Sequence, residues 1–197
     1  HLKFSLEGLN EDYEKVRIGG KWERFKSNLL YAKEYFDQKN KQGYDWKLYL
    51  NFCVMKSNLL KILDVVKFAV DNNIPLVLNT INGMRHIDEN IFMYDHFNIP
   101  YKDIELVVKR SHELIDGADY IFSKELKQHL DYVVRALKSR KIRLPKKVLK
   151  LISLRLSGQK ADRLLYIYYK WIVDKKAALL YVVRKIKKRF RLLMEKG

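Results

Sequence analysis

The chain is poor in cysteine, proline and glycine. A single cysteine among 197 residues, Cys53, excludes an internal disulfide framework and any cysteine-rich metal knuckle. Such scarcity suits a reducing compartment, and the expected location is cytoplasmic. Only three prolines and eight glycines occur, and neither residue interrupts residues 159–196. No stretch of eighteen uncharged apolar residues is present, so no segment spans a membrane on its own. A signal-peptide pattern, a phosphate-binding glycine loop, an internal repeat and a Ser/His/Asp nucleophile arrangement are all missing.

What is present is an ordinary apolar content of 48% and a charge divided very unevenly. Residues 1–134 carry 19 Lys+Arg against 20 Asp+Glu, whereas residues 135–197 carry 21 against 3. The net charge of +17 therefore belongs entirely to the last third. A split this sharp predicts two modules with different jobs; with the change of periodicity described below, the expected division is an α/β part over 1–100 and a basic helical extension over 101–197.

The first part alternates in type. Strand patterns over 2–7, 47–55 and 74–81 are separated by helical patterns over 22–38 and 58–72, with a short polar helical turn over 10–17. In the first strand Leu2, Phe4 and Leu6 share one face, and Lys3, Ser5 and Glu7 the other. In the second, Leu48, Leu50, Phe52 and Val54 oppose Tyr49, Asn51, Cys53 and Met55. Trp22, Phe25, Leu29, Ala32 and Phe36 recur at helical spacing. Ser57 reads as the N-cap of the next helix, which is expected to bury Leu59, Ile62, Leu63, Val66, Ala69 and Val70. Alternation of this kind implies parallel strands joined by crossover helices. Three strands make a small parallel sheet, so further strands are expected on its N-terminal side.

Residues 82–100 read as a long irregular loop, whose aromatic content argues against disorder. Beyond it every periodic segment is helical: Ile104, Val107, Val108, Ser111 and Leu114 line one helix, and Leu126, Leu130, Val133, Val134 and Leu137 the next. Pro145 suits the first turn of a third, and 159–196 forms one long helix or two.

Three stretches, in order, carry a resemblance. These are Ser5-Leu6-Glu7-Gly8, the segment Tyr13-Glu14-Lys15-Val16-Arg17-Ile18-Gly19-Gly20-Lys21-Trp22-Glu23-Arg24-Phe25, and Asn51-Phe52-Cys53-Val54-Met55-Lys56-Ser57-Asn58. Together they resemble the second half of the barrel domain of radical S-adenosylmethionine enzymes, of the group that often carries a C-terminal SPASM domain. The resemblance covers residues 1–81. It implies a partial parallel (β/α) barrel, with His1 at the fourth strand and strands four to six present. It also implies S-adenosylmethionine and a 4Fe-4S cluster as cofactors of the parent enzyme. The cluster-binding Cys-x-x-x-Cys-x-x-Cys loop lies in the first half of such barrels, so the missing N-terminal half is the expected partner. By the resemblance, Ser5 and Arg17 face the ribose and carboxylate of the cofactor. Glu7 stands where the family more often has aspartate, and Asn51 and Asn79 lie on the substrate side. The absence of further cysteine departs from the auxiliary-cluster domain of SPASM members.

Apart from the resemblance, ligands of parallel α/β proteins bind beyond the carboxyl ends of the strands, where Ser5, Glu7, Asn51, Cys53 and Asn79 fall. The plain alternatives are that Glu7 and Asn51 cap loops, that Arg17 pairs on the surface with Glu14 or Asp12, and that Cys53 packs as a small apolar group. Arg85, His86, Asp88, Glu89, Asp95 and His96 match no compact ligand spacing, and His112 and His129 read as helix-surface residues. The basic runs 140–147 and 184–191 leave three roles open: capping the core or an acidic partner segment, contacting an anionic membrane surface, or binding nucleic acid. The function expected is that of a portion of a radical S-adenosylmethionine-type enzyme, not catalytic alone. The alternative is a non-enzymatic binding module acting through residues 135–197. An open sheet edge predicts self-association.

Overall fold

The computed structural model describes residues 1–81, 89, 91 and 99–138. The expectations placed on most of the 82–100 loop and on everything from 139 onward, including Pro145 and both basic runs, lie outside the described residues. The chain divides into two compact units, 1–81 with 98–134 and 82–97 with 135–197.

The first unit is of α/β class. Strand β1 (Leu2–Leu6) leads into helices α1 (Asn10–Val16) and α2 (Trp22–Lys41). Strand β2 (Leu48–Val54) is followed by a single 3-10 turn, Leu59–Lys61, and helix α3 (Ile62–Asp71). Strand β3 (Leu76–Thr80) precedes α4 (Tyr101–Asp116), and α5 (Ser123–Lys138) begins in this unit. The sheet runs β1-β2-β3, wholly parallel, with Ser5 beside Asn51, Asn51 beside Val77 and Cys53 beside Asn79.

Period-two alternation decides which side of the sheet is dry. Leu6, Leu48, Leu50, Phe52, Val54, Leu76 and Leu78 are buried, and α2 and α3 pack on β2. Each large aliphatic side chain wholly buried there contributes about 1.5–3 kcal/mol. The odd-numbered face carries Lys3, Ser5, Tyr49, Asn51, Cys53, Val77 and Asn79, none of them buried.

Helix α3 is rotated slightly from its expected setting. Its buried arc is Leu59, Ile62, Val65, Val66 and Ala69, while Leu63 and Val70 are only half-buried. The helix ends as Asn72 and Asn73 predict. Asn73 adopts φ +47°, its N–H donates to the Val70 carbonyl at 3.0 Å, and the N–H of buried Ile74 donates to the Ala69 carbonyl at 2.9 Å. Asparagine tolerates this left-handed conformation at a helix C-terminus.

Ser57 is not the cap: Asn58 holds the N-cap position of the 3-10 turn. His129 is not a surface residue. It is partly buried on α5, where its Nδ1 accepts from the Leu78 N–H at 3.2 Å. Tyr120 is also buried, and its hydroxyl donates to the Ile74 carbonyl at 2.8 Å. Backbone groups on the outer edge of β3 thus find side-chain partners, which helical periodicity alone does not reveal. His112 on α4 faces Asp131 on α5 at 3.3 Å.

Candidate polar site at the carboxyl ends of the strands

Helix α1 is short and needs anchors. Tyr13 supplies one: it is buried and its ring meets Trp22 at 5.9 Å and Phe25 at 4.7 Å. Glu14 supplies another by accepting from the Trp22 N–H at 3.1 Å and from Lys21 Nζ at 3.2 Å, which caps the start of α2. The Trp22 N–H, and then Lys21, hold the Glu14 carboxyl below the usual carboxylate range. The elbow between the helices needs glycine. Gly19 has φ +80°, and a Cβ on Gly20 would lie 2.9 Å from the Arg17 carbonyl.

This elbow leaves Arg17 at the C-cap of α1, facing back over the end of β1. Its Nε and Nη2 each donate to one oxygen of Glu7 at 2.7 Å, a bidentate fork. The Glu7 side chain is 12% exposed and that of Arg17 43%. Hydrogen bonding to Glu7 raises the Arg17 guanidinium above its already high range, so it stays charged. Both candidates therefore occupy one place, but as partners of each other. Neither Glu14 nor Asp12 takes Arg17: Glu14 pairs with Lys21, and Asp12 with Lys15 and Lys61.

The strand positions follow the register. Ser5 is exposed on β1; Asn51 beside it on β2 accepts from the Asn79 amide on β3. Cys53 lies one step further along, half-buried, in register with Asn79. Burial pushes the Cys53 thiol up and Glu7 pushes it further, with Arg17 opposing. The group is thus a neutral thiol rather than a reactive thiolate. Ser5, Asn51, Cys53 and Asn79 share one face, and the Glu7–Arg17 pair stands at its carboxyl end.

Asn58 holds the site together, a role that sequence reading missed. It is buried, accepts from the Met55 N–H at 2.8 Å, and donates to the Glu7 carbonyl at 2.8 Å and the Cys53 carbonyl at 2.9 Å. One amide thus fastens the ends of β1 and β2. The available signal was a lone asparagine between two apolar segments, where a buried polar group needs partners. Among the described residues no group of three His, Cys, Asp or Glu side chains is placed to hold a metal ion, and no helix is long and apolar enough to cross a membrane.

No family model, no curated protein and no solved structure matches the chain.

Proposed function

We propose that this chain is a portion of a radical S-adenosylmethionine-type enzyme, with residues 1–100 contributing half of a parallel (β/α) barrel, strands four to six. The observation that carries the reading is the polar row of Ser5, Asn51, Cys53 and Asn79 leading to the Glu7–Arg17 fork at the carboxyl ends of parallel strands. These donors and acceptors suit the ribose and amino-acid parts of S-adenosylmethionine. Asn51, Asn79 and Ser5 can bond hydroxyls. Arg17 keeps Nη1 for a second carboxylate, because Glu7 takes only Nε and Nη2.

The 4Fe-4S cluster does not fit this chain, since three thiolates are required and one cysteine exists. Cluster ligands would have to come from the N-terminal half of the barrel, seated beside β1. In such an enzyme the cluster and cofactor together supply reductive cleavage and hydrogen abstraction. This chain's own residues bind and orient the cofactor and wall off the substrate. Alone it is not catalytic.

The test is the coding sequence upstream of His1. A three-cysteine loop within about a hundred residues, the length of three βα units, is expected. If a start codon lies immediately before His1, the enzyme reading fails. A second reading, in which residues 135–197 bind an anionic membrane surface or nucleic acid, is favoured by their 21 basic against 3 acidic residues. Heparin retention that is unchanged on neutralising the 184–191 run would remove it.

A further inference from the structure

At the opposite end of the sheet from the polar site, four aromatic side chains gather around the loop between α2 and β2. The Trp46 ring meets Phe36 at 5.2 Å, Tyr44 at 5.6 Å and Tyr35 at 5.7 Å. Unlike core aromatics, most of these are open: Tyr35, Tyr44 and Trp46 are 40%, 53% and 36% exposed, and Tyr31, one turn earlier on α2, is 71% exposed. Exposed apolar surface gathered in this way marks an interaction site. The rings are tilted at 49° and 57° rather than stacked on one another, so they do not cover one another's faces.

The platform is held rigidly. Asn40 accepts from the Trp46 N–H at 2.8 Å and donates to the Trp46 carbonyl at 2.9 Å. A cation is built into it as well: Lys39 Nζ lies 5.6 Å from the ring centres of both Tyr35 and Tyr44. Lys39 Nζ donates to Gln42 Oε1 at 3.3 Å but has no carboxylate partner among the described residues, and Lys41 follows it. Lys33 and Lys47 on the rim pair with Asp37 and Asp45. A cleft of 290 Å³ opens beside Trp46 and runs along Phe36, Tyr49, Pro75 and Phe122.

We infer that this aromatic–lysine surface binds single-stranded nucleic acid, with bases stacking on Trp46, Tyr44 and Tyr35 and the backbone phosphate meeting Lys39. Stacking faces beside an ammonium group that no carboxylate neutralises are the elements of sequence-tolerant single-strand recognition. This inference is independent of the enzyme reading, because it uses none of Ser5, Glu7, Arg17, Asn51 or Asn79.

The experiment is fluorescence anisotropy of a fluorescein-labelled twelve-nucleotide oligo(U) with the full chain. Tyr44→Ala and Trp46→Leu are each expected to weaken binding about tenfold. Lys39→Gln is expected to reduce the slope of log affinity against log salt by about 0.7. Lys67→Gln, on an exposed lysine of α3, should leave affinity unchanged. Far-UV circular dichroism checks that Tyr44→Ala, at an exposed position, retains the fold. No saturable binding, or equal affinity of wild type, Tyr44→Ala and Trp46→Leu, overturns the inference, since retention would then lie elsewhere on the basic chain. Loss of binding to phosphatidylserine vesicles in these variants, with oligo(U) affinity intact, assigns the surface to lipid and equally overturns it.

Discussion

Asn58 Nδ2 donates to the carbonyl of Glu7, 51 residues away in sequence, at 2.8 Å. The contact ties the only acidic member of the polar site to the turn that follows β2. Because the same amide also serves Cys53 and Met55, it acts as a small network whose loss is felt at several backbone groups together.

Asn58→Ala should therefore destabilise the chain more than an exposed asparagine would. Three interactions disappear, and each net hydrogen bond contributes about 1 kcal/mol. With the partly orphaned partners, a loss of about 2–4 kcal/mol is expected. Urea denaturation of wild type and variant measures it. A difference below about 0.5 kcal/mol would refute the network.

The Glu7–Arg17 fork predicts a spectroscopic signature. An Arg17 Nε–H held at 2.7 Å from a carboxylate should exchange slowly enough to appear in a proton–nitrogen correlation spectrum at neutral pH. Glu7→Gln should broaden or remove that resonance, with little effect on stability, because the arginine is nearly half exposed. Persistence of the resonance in Glu7→Gln would place the guanidinium against another acceptor.

The edge of β3 should make stability depend on pH in two windows. Burial lowers the pKa of His129 below its ordinary 6.5. The unfolded chain thus takes up the proton first, and His129's contribution is complete above pH 6.5 and lost as pH falls below it. Burial pushes the Tyr120 phenol up to about 12 from 10. Its contribution is complete below pH 10 and lost as pH rises toward 12. Denaturation midpoints across this range should fall at both ends. His129→Gln should flatten the acid side and Tyr120→Phe the alkaline side; unchanged profiles in both variants would contradict the assignment.

Self-association through the other edge is also testable. The Leu2 N–H donates inward to Lys47 at 2.9 Å, so by strand alternation the N–H groups of Lys3 and Ser5 point outward. Proline at an outward position blocks further pairing without touching the existing ladder. Light scattering of the wild type should report a dimer or larger assembly, and Lys3→Pro should return it toward monomer. A wild type that is monodisperse and monomeric would refute edge-driven assembly.

The α/β alternation, the three strands and the dry face were legible because period two and period 3.6 are local properties of the chain. Asn73 was readable as a helix stop for the same reason. The sequence marks Arg17 but offers Asp12 and Glu14 as its near partners, because the fork to Glu7, ten residues back, depends on how α1 folds over the end of β1, which spacing does not reveal. His129 and Asn58 were misjudged or passed over for a related reason. Helical spacing and motif position say nothing about a backbone edge 51 residues distant.

With Tyr120 and His129 stopping one border of the sheet and no strand among the described residues lying outside β1, growth of the sheet is directional. A strand added at the β1 border, from the same polypeptide or another molecule, would lie beside Lys3 and Ser5. Such a strand would become a neighbour of Ser5, so association at this border and a change in the surroundings of the polar row would be a single event.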